Sequence, residues 1–268
     1  MTEFTGVKKI SDQDYDELPA LRSTLLKDFI RSPAHYKYAM SPEARAENDG
    51  KTHFLIGNLV HSGLLEPETV PQKYKICDES TRNTKGYKEL KEKFPSHKIV
   101  MRKEADQAEA ICKAVYALDP VMDLIRRGEK ELAAANYLKT GIGDDKVYCK
   151  AKLDLYIKED KHIIDLKTTA ESALDFRYRI QSYGYDVSAA FYIDVMAACG
   201  YDVDKFTFIV VEKSPPYGVM MYYLSPEDYE RGQQKYLKAL PHYLQCLRTG
   251  SFPSYSLTPQ PTFLKRED

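Results

Sequence analysis

The sequence predicts an α/β fold, a mixed central sheet flanked by helices with an added helical N-terminal region. Three observations predict it. From residue 103 the hydrophobic pattern runs helix, strand, strand, strand, helix, strand, strand, helix, the order of a layered α/β domain. Residues 147–157 alternate apolar Val147, Cys149, Ala151, Leu153, Leu155 and Ile157 with Tyr148, Lys150, Lys152, Asp154 and Tyr156, the period of a strand with one apolar face. The chain has 268 residues, 43% of them hydrophobic, enough for one large domain with a sizeable core.

The elements follow in order. Residues 1–20 are acidic and weakly periodic, which predicts a loose N-terminal segment ahead of a single domain over 21–268. Its helical part covers 21–127, its core 128–250 and its tail 251–268. Ser23 is placed to cap a helix to about Arg31, and Ser32-Pro33 restarts a second helix with proline in its first turn. Residues 41–51 are polar and read as loop. Residues 52–65 read as a helix with Leu55, Leu59 and Val60 inward, and with Gly57 and His61 four apart on one face. Residues 103–127 form a helix interrupted near Asp119-Pro120. A strand over 131–138 precedes the hairpin, whose loop is Lys158-Glu159-Asp160-Lys161. A long helix over 172–199 ends at Gly200. Strands over 205–212 and 217–224 and a last helix from Ser225 to about Arg248 complete the domain.

The hairpin carries the chemistry. Pairing Ile157 with His162 puts Asp154 opposite Asp165 and Lys152 opposite Lys167. Two carboxylates in that relation repel, and a divalent cation removes the conflict, since Mg²⁺ takes oxygen ligands. Lys167, two residues from Asp165 and therefore on its face, adds positive charge for a phosphate. Asp-x-Lys by itself is common, and a solvated hairpin edge explains it equally well.

Composition narrows the classes. No run approaches the ~18 apolar residues of a membrane span, and the N-terminus lacks a signal-peptide pattern. The cysteines Cys77, Cys112, Cys149, Cys199 and Cys246 are scattered without a C-x-x-C pair. They read as free thiols of a reducing cytosol, not as zinc or iron–sulfur ligands. No P-loop is present, so ATP-driven unwinding is not expected. Net charge is −1, with no global field for nucleic acid. Residues 82–103, however, hold eight basic and two acidic side chains. Lys88, Lys91 and Lys93 in that stretch either track a phosphate backbone or form a solvated face.

Taken together these motifs resemble the PD-(D/E)xK nucleases of the RecB-type branch, and most closely the RecE (exonuclease VIII) nuclease family. Strand, Asp154, strand, Asp165-Leu166-Lys167 and helix match the core motif. Gln181-Ser182-Tyr183-Gly184-Tyr185 resembles the Gln-x-x-x-Tyr motif. The stretches 21–29 and 32–36 resemble the opening helices, and Gly57-Asn58-Leu59-Val60-His61 the helical histidine motif. The resemblance covers nearly the whole chain, and Leu153 stands where the family name has proline.

The resemblance implies a Mg²⁺-dependent exonuclease, with Mn²⁺ able to substitute, acting 5′→3′ on duplex DNA ends and leaving 3′ overhangs for recombination. It implies His61, Asp154, Asp165 and the Leu166 carbonyl as metal ligands, with Glu131 as a further acidic neighbour. Lys167 and Gln181 complete the catalytic set. Arg22, Ser23 and Tyr185 become DNA contacts, Gln181 and Tyr185 sharing one helix face, and the strand face that Lys150 and Lys152 share with Asp154 adds these two as contacts to the scissile strand. It also implies a tetrameric ring, a single-strand annealing recombinase as partner, and the cytoplasm of a bacterial or phage-infected cell. An endonuclease or single-strand nuclease on the same core, a non-catalytic DNA-binding relative, and a protein-interaction module are the alternatives.

Overall fold

The computed structural model describes residues 3–44 and 52–255. The elements in chain order are β1 (Gly6–Lys9), α1 (Asp12–Glu17), β2 (Leu21–Arg22), α2 (Ser23–Arg31), α3 (Pro33–Ala39), α4 (Thr52–Leu65), α5 (Val70–Lys73), β3 (Tyr74–Cys77), α6 (Lys85–Lys93), β4 (Lys98–Met101), α7 (Arg102–Tyr116) and α8 (Asp119–Arg127). The second half follows with β5 (Glu129–Lys139), β6 (Lys146–Ile157), β7 (His162–Thr169), α9 (Phe176–Ser182), α10 (Tyr185–Ala198), β8 (Lys205–Glu212), β9 (Val219–Tyr223) and α11 (Pro226–Thr249). The polar stretch expected as loop over 41–51 and the tail expected over 251–268 lie largely outside the described residues.

The main sheet has the order β1-β5-β6-β7-β8-β9, with β2 added beside β6. β7 and β8 run parallel and are joined through α9 and α10, while β5–β6, β6–β7 and β8–β9 are antiparallel. The expected mixed sheet is therefore present. One face buries Leu153, Phe208 and Val210 against Leu26 and Phe29 of α2, Phe191 of α10 and Tyr236 of α11. The other buries Leu155, Leu166 and Ile209 against Val60 of α4, Ile111 of α7 and Ile125 of α8. Each helix contributes one apolar stripe, so the sheet sits between two helical layers.

Several local expectations hold for the physical reasons that motivate them. Ser32 Oγ accepts from the His35 amide with Pro33 in the first turn of α3, and Ser225 Oγ accepts from the Asp228 amide at the start of α11. Gly200 adopts φ +85° after α10, a conformation that costs a residue without Cβ little.

The structure corrects others. Residues 6–17 are built into the fold: β1 pairs antiparallel with β5, Gly6 facing Ala135. The buried Lys150 ammonium donates to the Tyr15, Asp16 and Leu18 carbonyls at 2.5, 3.3 and 2.9 Å. Order there comes from non-local pairing, which a local periodicity cannot register. The helix expected over 172–199 is two helices, because Gly184 takes φ +63° between α9 and α10. Gln181 and Tyr185 accordingly stand on separate helices. Ser23 is the first residue of α2, not its cap; it is buried and its Oγ lies 3.4 Å from the Tyr192 hydroxyl.

The 66–102 region, where the sequence pattern predicts no strands, forms a two-stranded parallel sheet, Tyr74 facing Lys98. Helix α6 covers it, with Tyr87, Leu90 and Phe94 packing on Cys77, Ile99 and Met101. Its strands are four residues each, too short for a period of two to stand out.

Candidate active site

Strand β6 has two different neighbours along one edge. Near its start Lys150 pairs with Arg22 of β2, and near its end Leu155, Tyr156 and Ile157 pair with Ile164, Ile163 and His162 of β7. The hairpin register is the expected one, but its pairing stops at Leu155. Asp154 lies in the gap between β2 and β7. The expected facing of Lys152 and Lys167 is therefore absent, because β7 has already separated from β6.

On the other edge of β6 the β5 ladder skips one position. Lys130 pairs with Leu155 and Leu132 with Leu153, while Glu131, between them, has φ +56°. A non-glycine residue in that region costs of order 1–3 kcal/mol and persists where surroundings hold it. The kink also exchanges faces: Leu153 packs in one core layer and Leu155 in the other. Glu131 and Asp154 are thereby brought to one place. Helix α4 adds His61, and a Cβ on Gly57, one turn earlier, would lie 3.3 Å from Thr168 Oγ1, so α4 lies directly on the end of β7. One ligand atom each from His61, Glu131 and Asp154 falls within 4.8 Å of the others. His61 Nδ1 is 3.6 Å from Asp154 Oδ1, and Asp154 Oδ2 accepts the Leu166 amide at 2.7 Å.

The electrostatics fit a cation. Burial, then the neighbouring Asp165, pushes the Asp154 carboxyl well above the usual carboxylate range. Burial, then Asp154, raises Glu131. Burial, then the Lys167 ammonium, lowers His61 to about 4, leaving a neutral imidazole able to ligate. Burial opposes the charge on Lys167, but Asp165 and Asp154 outweigh it and hold the ammonium above its ordinary value. Asp165 Oδ2 contacts Lys167 Nζ as an ion pair, yet it is buried and meets no donor in hydrogen-bond geometry. Crowded carboxylates and a neutral histidine form a donor set of nitrogen and hard oxygens. That set suits a divalent cation of the Mg²⁺ or Mn²⁺ type.

A family model described as "PDDEXK-like domain of unknown function (DUF3799)" matches residues 23–258. The chain belongs to this family. The crystal structure of a candidate exonuclease from Eubacterium rectale has a TM-score of 0.66 to this PDDEXK-like chain, at 18% identity, covering 92% of this chain and 90% of that one. At that identity it supports the fold. A phage-related exonuclease from Haemophilus somnus 129PT aligns at 11% identity and TM-score 0.34, over 65% of this chain and 92% of that one, too distant to carry an argument. Comparison with curated proteins found no match. Among the described residues no helix is long and apolar enough to cross a membrane.

Around the PDDEXK-like centre the remaining expected residues divide. Lys152 Nζ is 2.9 Å from Glu131 Oε2 and also binds Asp12; it steadies the acidic neighbour, and Asp12, in the segment expected to be loose, completes the arrangement. Lys150 is buried against three carbonyls and has no face left for DNA. Ser23 is likewise buried. Arg22 is half-exposed and pairs with Asp16 at 3.1 Å. Tyr185 stacks on Phe176 at 5.3 Å, and its ring centroid is 5.4 Å from Lys167 Nζ. Gln181 is exposed at the end of α9. Lys88, Lys91 and Lys93 are exposed on α6, whereas Arg82 and Arg102 of the same basic stretch are tied to Glu104 and Asp78.

Two residues near the centre are absent from the sequence-based set. Tyr192 is half-buried, and burial, then Asp165, raises its phenol while Lys167 opposes the rise. It lies seven residues after Tyr185 on α10, a spacing that shares a helix face and is a usable signal. Lys27, four residues after Ser23 on α2, offers the same kind of signal.

Proposed function

We propose that this chain is a divalent-metal-dependent deoxyribonuclease, degrading duplex DNA from its ends in the 5′→3′ direction and leaving 3′ single-strand overhangs for recombination. One observation carries the nuclease reading: His61, Glu131 and Asp154 converge beside Asp165 and Lys167 at the gap in the β6 edge. Binding alone would not require two carboxylates and a histidine to offer ligand atoms within 4.8 Å of one another.

The residues that would hold the metal are His61, Glu131, Asp154, Asp165 and the Leu166 carbonyl. A bound Mg²⁺, or Mn²⁺ in its place, supplies Lewis acidity toward a phosphodiester oxygen and lowers the pKa of water. Lys167 places positive charge where the phosphate gains negative charge in the transition state. The Leu166 amide holds Asp154 in place through Oδ2, leaving Oδ1 directed at His61. Water attacks phosphorus, the P–O3′ bond breaks, and the products are a 5′-phosphate and a 3′-hydroxyl.

Polarity, the tetrameric ring and the annealing-protein partner rest on the resemblance to the RecE family. The test is digestion of 5′- and 3′-end-labelled linear duplex beside covalently closed duplex, with Mg²⁺, with Mn²⁺ and with chelator. Early release of the 5′ label as short products from linear DNA alone is the expected result. Cleavage of the closed circle would assign an endonuclease, and no metal-dependent cleavage of any DNA would overturn the reading.

A further inference from the structure

Lys27 lies on α2 one turn beyond Ser23, whose hydroxyl reaches Tyr192 beside Asp165 and Lys167. Residues four apart share a helix face, so α2 turns Lys27 toward the same side of the sheet. Its Nζ is 5.3 Å from the centroid of the Tyr185 ring, and Lys167 Nζ is 5.4 Å from that centroid. Two ammonium groups thus share one aromatic ring. Lys167 has Asp165 as its ion-pair partner. Lys27 has a hydrogen bond to the Tyr183 carbonyl at 3.4 Å, longer than a good N–H···O bond. Among the described residues it meets no carboxylate at ion-pair distance.

The backbone is shaped around this lysine. The break between α9 and α10 places Gly184 at φ +63°, and a Cβ there would come within 2.8 Å of Lys27 Cδ. The missing side chain leaves the channel through which the Lys27 stem runs, and the carbonyl before it receives the ammonium. Burial, then the like charge of Lys167, lowers the Lys27 amine to about 8. A half-buried cation beside a second cation, with Asp165, Asp28 and Asp186 acting on it only from beyond ion-pair distance, is a costly arrangement. A phosphate between or beside the two ammonium groups relieves it.

We propose that Lys27 is a substrate-binding residue that grips a DNA phosphate next to the one presented to Lys167 and the metal-site carboxylates. The inference rests on the nuclease reading and extends its substrate track onto α2. Both ammonium groups lie within 5.4 Å of one ring centroid, so the positive charge at Lys167 continues onto α2. Tyr185 is the ring common to the two cations.

The test compares wild type with Lys27→Met, which keeps the stem, and Lys27→Gln, which keeps a donor for the Tyr183 carbonyl. Lys27→Arg serves as the charge-conserving control. Duplex affinity is measured in Ca²⁺ at several salt concentrations, kcat and KM in Mg²⁺, and melting temperature for each protein. The neutral variants should melt with wild type, bind roughly tenfold or more weakly, raise KM more than they lower kcat, and lose about 0.9 from the salt slope. Arginine should restore affinity and slope. If Lys27→Met melts early, Lys27→Gln decides. Wild-type affinity and slope in a folded neutral variant would overturn the Lys27 assignment while leaving the nuclease reading intact. A wild-type chain that neither binds nor cuts duplex DNA would overturn both.

Discussion

Glu131 faces Asp154 across β5 and β6 at the single skipped position of a ladder that is otherwise paired from Glu129 to Lys139. The skip is made by the left-handed backbone of Glu131, φ +56°, and it turns both carboxylates toward His61. Strain and site are thus the same feature, which makes them separable by substitution. Glu131→Gly should relax the backbone and keep or raise the melting temperature while weakening Mg²⁺ binding, read by calorimetry. Glu131→Val should lower stability by about 1–3 kcal/mol in denaturant melts, since a branched side chain fits that region poorly. Equal melting of the two variants would detach the kink from any conformational cost.

Asp165 is buried, with the Lys167 ammonium as its ion-pair partner. Asp165→Ala should abolish cleavage of linear duplex while the melting curve stays cooperative. Calorimetric titration with Mn²⁺ should show reduced affinity in the same protein. Near wild-type cleavage would remove Asp165 from the metal set.

Lys167 is held protonated by Asp165 and Asp154 against the effect of burial. Its charge matters most where the phosphate carries extra negative charge, so Lys167→Ala should lower kcat by about 10²–10³ and change duplex affinity far less. A loss confined to affinity would make Lys167 a plain phosphate contact.

Asp12 gives the pH dependence of the N-terminal clasp. Burial works to raise its pKa, but the hydrogen bonds to Lys152 and Lys73 win and bring it down to about 2 from 3.8. A carboxylate lowered on folding contributes stability above its unfolded pKa and loses that contribution as pH falls through its folded one. Wild type should therefore exceed Asp12→Asn in melting temperature at pH 5–7. The gap should close between about pH 4 and pH 2, the window set by those two pKa values. A gap that stays constant over that range would show that Asp12 acts by shape and not by charge.

The exposed lysines of α6 form the strongest local basic signal in the chain. Replacing Lys88, Lys91 and Lys93 with alanine should weaken duplex binding and lower the salt slope by about 0.9 for each phosphate that is no longer neutralised. Unchanged affinity and slope would make α6 a solvated face and leave the DNA path to α2.

The sequence by itself determined the mixed sheet, the hairpin register, the histidine helix and most of the donor set. These follow from short-range rules: the period of two over 147–157, the four-residue turn before His162, and the four-residue spacing of Gly57 and His61. Tertiary structure decided which groups meet. Lys150 and Lys152 share a strand face with Asp154 on paper, yet Lys150 is spent on the carbonyls that end α1 and Lys152 on Glu131 and Asp12. Gln181 and Tyr185 match one helical spacing, yet Gly184 divides the helix. Glu131 enters the site through a backbone inversion that no periodicity encodes. A repeat reports the face of an ideal element. Kinks, strand edges shared by two neighbours and long-range clamps are settled only when distant segments pack, and they place the final atoms of the site.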